Sequence, residues 1–293
     1  MKIFLSALGL LIASALVAQS NFPALSPAGR ISQVVGFTTI TVDYERPAVR
    51  GREIFGDLVP YGEVWRTGAG KCTRISFDHA VTINNKAIAA GAYSLFTVPG
   101  KDKWTIMLNS DTSLYGAGRY DVAKDVVRFD VKAESSTRFY EAFTIDIDVI
   151  PNNAVIYLSW ENTTVHFPVA TGADQKTLAF IDETLMTGKS LKANEYGAAV
   201  EYYLYQGRDL DKALKLTDLA VARDPKESWY YNLKVDVLEK QGNYADALVA
   251  ATKLVDLLEL HDKDFFGWNE ETFRGAISGA KSRVAELKQK VRN

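Results

Sequence analysis

The chain of 293 residues has one cysteine, three histidines and no marked excess of charge of either sign. The single thiol, Cys72, cannot form an intramolecular disulfide, and we expect it to be buried as a small apolar side chain. The net charge of -2 offers no basic stripe for a phosphate backbone. We therefore expect no nucleic-acid partner.

Motifs for catalysis and for metal binding are also missing. His79, His166 and His261 have no metal-ligand neighbour at usable spacing, and no H-E-x-x-H or G-x-S-x-G occurs. The glycine-containing stretch 115–119 is not followed by Lys-Ser or Lys-Thr, so it does not match a phosphate loop. The sequence therefore predicts no metal and no cofactor.

One long apolar run is present, at the N-terminus. It extends from Ile3 to Val17, follows Lys2, and is followed by the small residues Ala18 and Ser20. This pattern is typical of a signal peptide over residues 1–20, cleaved near Ser20. The alternative is an N-terminal membrane anchor, but the run is shorter than the ~20 residues that a helical span needs. We expect an exported protein, periplasmic or secreted, with no stable membrane span.

Residues 26–169 alternate apolar and polar side chains with a period of two. Ile40, Val42 and Tyr44, for example, alternate with threonines and an aspartate, and Asn84-Asn85 forms a favoured tight-turn pair. We predict about nine short strands here, without intervening helices, which favours an all-β sandwich or barrel. Our prediction is a sandwich.

The pattern changes to helical spacing after Thr171-Gly172. We predict helices near residues 174–187, 194–206, 210–223, 225–241, 244–260 and 270–291, which together form a separate helical domain over 174–293.

Two of these helix pairs have the spacing of a tetratricopeptide repeat. Ala213 and Ala247 are 34 residues apart, which is the period of that repeat. The segment 241–247 resembles the repeat signature, whereas the earlier copy at 206–213 has one extra residue. The alternative is an unrelated antiparallel bundle. A repeat of this type implies a protein or peptide partner that docks on the helices.

The stretch from Tyr44 to Gly70 combines arginines and aromatic rings with many glycines and prolines. Guanidinium groups pair with carboxylates or phosphates and stack on rings, so one interpretation is a site for an anion, a glycan or a peptide. The other is structural, with the arginines holding a long loop through acids and carbonyls. We expect the candidates to cluster at one end of the β-domain; the candidate ligand-binding residues are Arg46, Arg50, Arg52, Tyr61, Trp65 and Arg66.

Asp146 and Asp148 are two residues apart in a predicted strand and so share one face. Such a pair could serve acid–base chemistry or bind calcium. The other interpretation is the solvated face of an antiparallel sheet.

Several motifs between Ser26 and Val169 occur in the order of a known family. The chain resembles the family called domain of unknown function 2911, found in exported bacterial proteins. The matching segments include Tyr44-Glu45-Arg46-Pro47, Arg50-Gly51-Arg52, Leu58-Val59-Pro60-Tyr61-Gly62, Val64-Trp65-Arg66-Thr67-Gly68-Ala69 and Ala90-Gly91-Ala92-Tyr93-Ser94. The chain departs from the family pattern at Gly70-Lys71, where Asn and an acidic residue are usual, and at Tyr115-Gly116, where Trp-Gly is usual. The resemblance implies a domain and a compartment, but no reaction.

Two classes of function remain open on the sequence. The first is a binding or scaffolding protein of the cell envelope, with the β-domain as a ligand or structural module and the helices as a docking surface. The second is an enzyme acting on a glycan or anionic substrate at the arginine-rich loop. The absence of catalytic motifs favours the first class.

Overall fold

The computed structural model describes residues 22–292, so the predicted signal peptide lies outside the described residues. The chain separates into two compact units, with the boundary between Ala173 and Asp174. None of the helices in the described range is both long enough and apolar enough to cross a membrane.

The first unit is built from antiparallel strands. Within residues 22–292 there are ten: β1 (Ala28–Val35), β2 (Thr38–Glu45), β3 (Arg74–Phe77), β4 (Val81–Ile83), β5 (Lys86–Ile88), β6 (Gly91–Val98), β7 (Lys103–Asn109), β8 (Asp125–Lys132), β9 (Glu134–Ile150) and β10 (Asn153–Ala170). They form a six-stranded sheet in the order β1-β2-β3-β6-β7-β8 and a four-stranded sheet in the order β5-β4-β10-β9.

The period-two pattern places one face of each sheet in a shared apolar core. In β2, Ile40 and Val42 are buried while the residues between them are half-exposed. They belong to the same buried cluster as Ile145 of β9 and Ile156 of β10. Burial of one face against a second sheet is what fixes the register of such strands.

Short turns close the hairpins as the sequence indicates. Asn84 and Asn85 both have positive φ, at 47° and 60°. Two successive left-handed residues are the requirement of a type I′ turn, which matches the right-handed twist of the flanking strands. The predicted Asn-Asn turn between β4 and β5 is therefore confirmed.

The last strand reverses direction within its own length. The hydroxyl of Ser159 lies 2.9 Å from that of Thr164, and the rings of Tyr157 and His166 are 5.2 Å apart. Residues five apart in a straight strand would be separated by about 16 Å. The strand therefore doubles back near Glu161, whose φ is 50°. The alternating pattern also predicts separate short strands near residues 155–160 and 165–169, and both are parts of β10. The expected total of about nine short strands is therefore corrected, because residues 22–292 form ten strands of very unequal length.

The arginine-rich stretch connects β2 to β3 as an ordered loop over residues 46–73. Isolated bridges pair Ala48 with Ala142 and Trp65 with Thr97. The indole of Trp65 donates a hydrogen bond to the Gly68 carbonyl at 3.0 Å and stacks on Trp160 at 5.8 Å. The loop therefore contributes an aromatic side chain to the core.

The second unit is helical throughout. Its elements are α1 (Ala173–Phe180), which continues into a π-helical turn (Ile181–Leu185), then α2 (Ala193–Gln206), α3 (Leu210–Arg223), α4 (Ser228–Lys240), α5 (Tyr244–Leu260), the short α6 (Lys263–Phe266) and α7 (Glu270–Arg292). Five expected helices match the structure closely: α1 with its π-helical turn, α2, α3, α5 and α7. The helix α4 begins at Ser228 rather than at Pro225, because the Glu227 carboxylate accepts the Trp229 N–H at 2.9 Å and caps the helix there.

Small residues lie where consecutive helices pack. Ala213 of α3 and Ala247 of α5 are completely buried. A Cβ at Gly197 of α2 would lie 2.5 Å from the indole of Trp229 in α4, so only glycine fits at that approach. Side-chain size therefore sets the spacing of these helices.

Candidate functional site

Arg46 joins the end of β2 to β9. Its Nε donates to the carbonyl of Phe143 at 3.2 Å, and its Nη2 donates to the hydroxyl of Thr144 at 2.9 Å. The guanidinium also lies 6.0 Å from the centre of the Tyr44 ring. Arg46 thus has its hydrogen-bond partners inside the protein.

Arg50 and Arg52 hold the loop that follows β2. The Arg50 side chain donates to the carbonyl of Leu25 at 2.5 Å. Arg52 donates to the carbonyls of Val49 at 3.1 Å and Ala48 at 2.6 Å. These contacts fit the structural interpretation of the arginines, because they satisfy loop carbonyls that no strand pairs.

Trp65 and Tyr61 lie in different environments. Trp65 is 8% exposed and packs among the core rings, whereas Tyr61 is 39% exposed, with the Lys101 ammonium 5.9 Å from its ring centre. Within residues 22–292, no hydrogen bond, ion pair or ring contact directly joins any two of the six candidate side chains. Arg46 and Trp65 nevertheless share one neighbour, Phe143, whose carbonyl accepts from Arg46 and whose ring lies 5.1 Å from that of Trp65.

Arg66 differs from the other three arginines. It is half-buried, and its Nε is buried with no hydrogen-bond partner. In the part of the chain that the structure describes, none of its nitrogens has a hydrogen bond or an ion pair. A guanidinium stays charged in proteins, so a partly buried one without an acceptor calls for an explanation.

The neighbour of Arg66 is Cys72, which is buried. Its Sγ donates to the carbonyl of Gly116 at 3.2 Å. Burial raises the pKa of this thiol, and the hydrogen bond to Gly116, followed by the charge of Arg66, opposes the rise only in part. Cys72 therefore stays protonated at neutral pH and lacks the thiolate that a nucleophile needs.

The loop over residues 110–121 covers Cys72 and is firmly anchored. The Asp111 carboxylate accepts a hydrogen bond from Lys124 at 2.7 Å, and this bond, followed by one from Ser113, holds the pKa of Asp111 well below its usual range. At the other end, burial and a hydrogen bond to Asp125 raise the pKa of Tyr120 to about 12. The loop forms a fixed wall over this part of the six-stranded sheet.

A cleft of about 530 Å³ opens beside this wall. Its lining combines the ends of β1, β2 and β3 with the two adjoining loops; the lining residues are Ala28, Gly29, Asp43, Tyr44, Glu45, Lys71, Cys72, Arg74, Thr112, Ser113, Leu114 and Tyr115. A volume of this size is typical of small-molecule sites.

The acids and the cations of the cleft differ in their partners. Asp43 accepts hydrogen bonds from Arg30 at 2.5 Å and 3.0 Å, and Glu45 accepts the backbone N–H of Lys71 at 3.3 Å. The side chains of Lys71 and Arg74 have no hydrogen bond or ion pair among the described residues. In this cleft, therefore, the charged side chains without a partner are the two cations.

The two departures from the family pattern meet at the cleft. Lys71 forms a bridge with Tyr115, and the sulfur of Cys72 contacts Gly116. A Cβ at Gly70, whose φ is 52°, would overlap the Glu45 carboxylate. Gly70 therefore lets the loop approach β2 closely.

Sequence reasoning did not select Lys71, Arg74 or Tyr115 as ligand-contacting residues. Lys71 could have been found, because it already stood out against the family pattern. Arg74 carries only a weak signal, since it alternates with the buried Ile75 in β3 as any outward residue would. Among residues 22–292, no group of three or more His, Cys, Asp or Glu side chains is placed to hold a metal ion.

The fold and the cleft define a two-unit protein, an antiparallel β unit whose cleft contains two cations and two acids, followed by a helical unit. Residues 26–169 match the model of a family described as "Protein of unknown function (DUF2911)". This match confirms the resemblance seen in the motifs and covers most of the β unit. No curated protein matches the chain.

Proposed function

We propose that this chain is an exported binding protein whose β unit holds a small anionic ligand, a carboxylate or a phosphate, in the cleft lined by Lys71 and Arg74. The observation that carries the proposal is that both cations line the cleft and that neither side chain has a hydrogen bond or an ion pair among residues 22–292. Hydrogen bonds between a charged donor and a charged acceptor are the strong ones. A bound anion would supply the acceptor for both side chains.

The chemistry of the cleft supports this ligand class. A guanidinium presents a planar fork that pairs with carboxylate or phosphate oxygens. The unpaired guanidinium of Arg74 offers such a fork, and the unpaired ammonium of Lys71 adds a second positive charge. The two acids of the cleft already accept hydrogen bonds. An anion therefore gains charge-assisted hydrogen bonds here without displacing an existing ion pair.

Binding, rather than turnover, is the function we assign to the cleft. The Cys72 thiol is protonated, and burial is the main cause of its raised pKa. Glu45 lies against Gly70 and accepts the Lys71 N–H. The cleft therefore contains positioned cations but no activated nucleophile.

Two finer structural assignments belong with this proposal. The β unit is a sandwich, an assignment supported by the single buried cluster to which both sheets contribute. The helical unit is a tetratricopeptide-like docking module for a protein or peptide partner. The buried alanines Ala213 and Ala247, 34 residues apart, support this, as do helices that pack in chain order.

The test is calorimetric titration of the chain lacking residues 1–20 with inorganic phosphate, succinate and acetate, alongside the uncharged analogue succinamide. We expect at least one anion to bind, the uncharged analogue not to bind, and added salt to weaken binding. Arg74→Met should reduce affinity at least about tenfold, close to 1.4 kcal/mol. Arg74→Lys should retain part of it, because the charge remains while the fork is lost.

The matched control is Arg274→Met, which makes the same change of charge on an exposed side chain of α7. It should bind like the parent chain. Arg74→Met should also unfold at about the same temperature as the parent, because the Arg74 side chain is exposed and has no partner to lose among residues 22–292. Equal anion binding in both variants, or a large loss of stability in Arg74→Met alone, would contradict the proposal.

A further inference from the structure

A second concave surface lies on the four-stranded sheet, on the face turned away from the core. It encloses about 550 Å³. Its floor contains Asp146 of β9, opposite Tyr157 of β10, together with Ser159 and Thr164. Residues 134–140 at the start of β9 form one wall. None of the six arginine-loop candidates lines it.

The reversal of β10 creates this surface. It brings Thr164 beside Ser159, and His166 beside Tyr157, so that one strand supplies two adjacent rows of side chains. The pairing of β9 with β10 shifts register on both sides of Glu161. These irregularities make the first part of β9 project beside the floor instead of continuing flat.

The lining is almost entirely polar. Ile147 is its one aliphatic residue in the described part of the chain, beside serines, threonines, tyrosines and acids. Several of the polar groups have no hydrogen-bond partner among residues 22–292. These are the Asp148 carboxylate, the hydroxyls of Ser135 and Thr137, and the phenol groups of Tyr140 and Tyr157.

Both tyrosine rings are held in place from within the protein. The guanidinium of Arg138 lies 4.6 Å from the centre of the Tyr140 ring. The His166 ring lies 5.2 Å from that of Tyr157, at an interplanar angle of 31°. An aromatic ring fixed in this way combines an apolar face with a polar tip.

The lining discriminates between classes of ligand. An apolar ligand would leave these polar groups without partners. An anion would meet three carboxylates, those of Asp146, Asp148 and Glu134, against the one guanidinium of Arg138, so the net charge of the lining repels it. A polyhydroxylated ring, by contrast, donates hydrogen bonds to carboxylates, exchanges them with hydroxyls that both donate and accept, and lays its C–H face on an aromatic ring.

We infer that this surface, the β9–β10 cleft, is a saccharide-binding site. It is separate from the anion cleft, and the inference does not depend on the function proposed there. The spacing of Asp146 and Asp148 fits either a site or a solvated face, and this inference makes both carboxylates acceptors for sugar hydroxyls.

The experiment titrates the chain lacking residues 1–20 with cellobiose, maltose and chitobiose at millimolar concentrations, followed by calorimetry and by saturation-transfer NMR. We expect at least one disaccharide to bind. Asp148→Asn should weaken it at least about tenfold, since the exchange removes an acceptor-only group and its charge. Asp148 is exposed and has no partner among the described residues, so this variant should fold like the parent.

The matched control is Asp130→Asn, which alters an exposed acid on β8 that accepts from Lys103 and Thr105. It should not change saccharide binding, and neither should Arg74→Met, which separates failure of this inference from failure of the anion proposal. Tyr157→Phe should weaken binding if the phenol hydroxyl contacts the sugar.

Three results would overturn the inference. The first is that none of the disaccharides binds the parent chain. The second is that Asp148→Asn and Tyr157→Phe both bind as the parent does. The third is that ethylamine and glucosamine bind while the neutral disaccharides do not, which would make the cleft a site for ammonium groups.

Discussion

The two units of this protein bury their side chains in different ways. In the β unit, one large cluster takes residues from both sheets and from the loop over residues 46–73, and a small second cluster contains Cys72, Phe96 and Met107. In the described part of the helical unit, burial is divided among three smaller clusters along the chain. Contacts of long sequence separation therefore dominate the first unit, and contacts between neighbouring helices dominate the second.

The side chains at the centre of each unit reflect this difference. Rings of Phe55, Trp65, Trp104, Phe143 and Trp160 pack against one another inside the β unit at centroid distances of 5.0–6.4 Å. The helical unit places alanine and glycine where its helices approach. Damage to the first core should spread across the unit, whereas damage to the second should remain within one cluster.

The largest expected effect is that of Trp65→Ala. Truncating a buried tryptophan typically costs about 3–5 kcal/mol, and Trp65 connects the loop to both sheets. Near-ultraviolet circular dichroism during urea unfolding should show that the β unit unfolds at a lower urea concentration, while the transition of the helical unit stays unchanged. Trp65→Phe, which keeps a ring, should cost less. An unaltered β transition in the alanine variant would contradict the idea of one shared core.

A smaller and more local effect is expected for Ala247→Trp. Ala247 is completely buried in α5, and overpacking typically costs about 1–3 kcal/mol. Hydrogen exchange should quicken in α4, α5 and α7 while the cluster around Tyr196 and Tyr203 stays protected. The control Val249→Trp changes a residue of the same helix that is 70% exposed and should be near neutral. Uniform loss of protection in all helices would argue for one undivided helical core.

The smallest expected effect is a pH-dependent loss of stability that concerns the β unit and not the helical unit. A hydrogen bond from His79, followed by one from the Thr39 N–H, lowers the pKa of Asp78 to about 2. A carboxyl whose folded pKa is depressed stabilises the fold above its unfolded value, near 3.9, and loses that contribution as pH falls toward 2. Because Asp78 is exposed, the contribution is small.

Acid unfolding of the β unit should therefore become less steep in Asp78→Asn, with the helical unit unaffected. Circular dichroism between neutral pH and pH 2 measures both transitions. The matched control is Asp148→Asn, which removes an exposed acid that has no partner in the described chain. Equal acid sensitivity in the two variants would show that the Asp78 carboxylate does not contribute to the acid unfolding of the β unit.

Local chemistry explains which features could be predicted from the sequence. The Asn84-Asn85 turn follows from the positive φ that asparagine tolerates, and the helices from apolar spacing and capping. The loop over residues 46–73 was expected because glycine and proline exclude a central strand. Each of these signals lies within a few residues of the feature it predicts.

The sequence by itself determined the two kinds of secondary structure, the change between them near Thr171, and the family resemblance of residues 26–169. Only the tertiary structure decided which arginine of the loop over residues 46–73 lacks a hydrogen-bond partner. Arg46 is satisfied by Phe143 and Thr144, which lie 97 and 98 residues further along the chain. It likewise decided that β10 reverses and that Asp146 faces a cleft. The physical reason is that burial and pairing depend on side chains brought together from distant positions, and their identity is not encoded in local pattern.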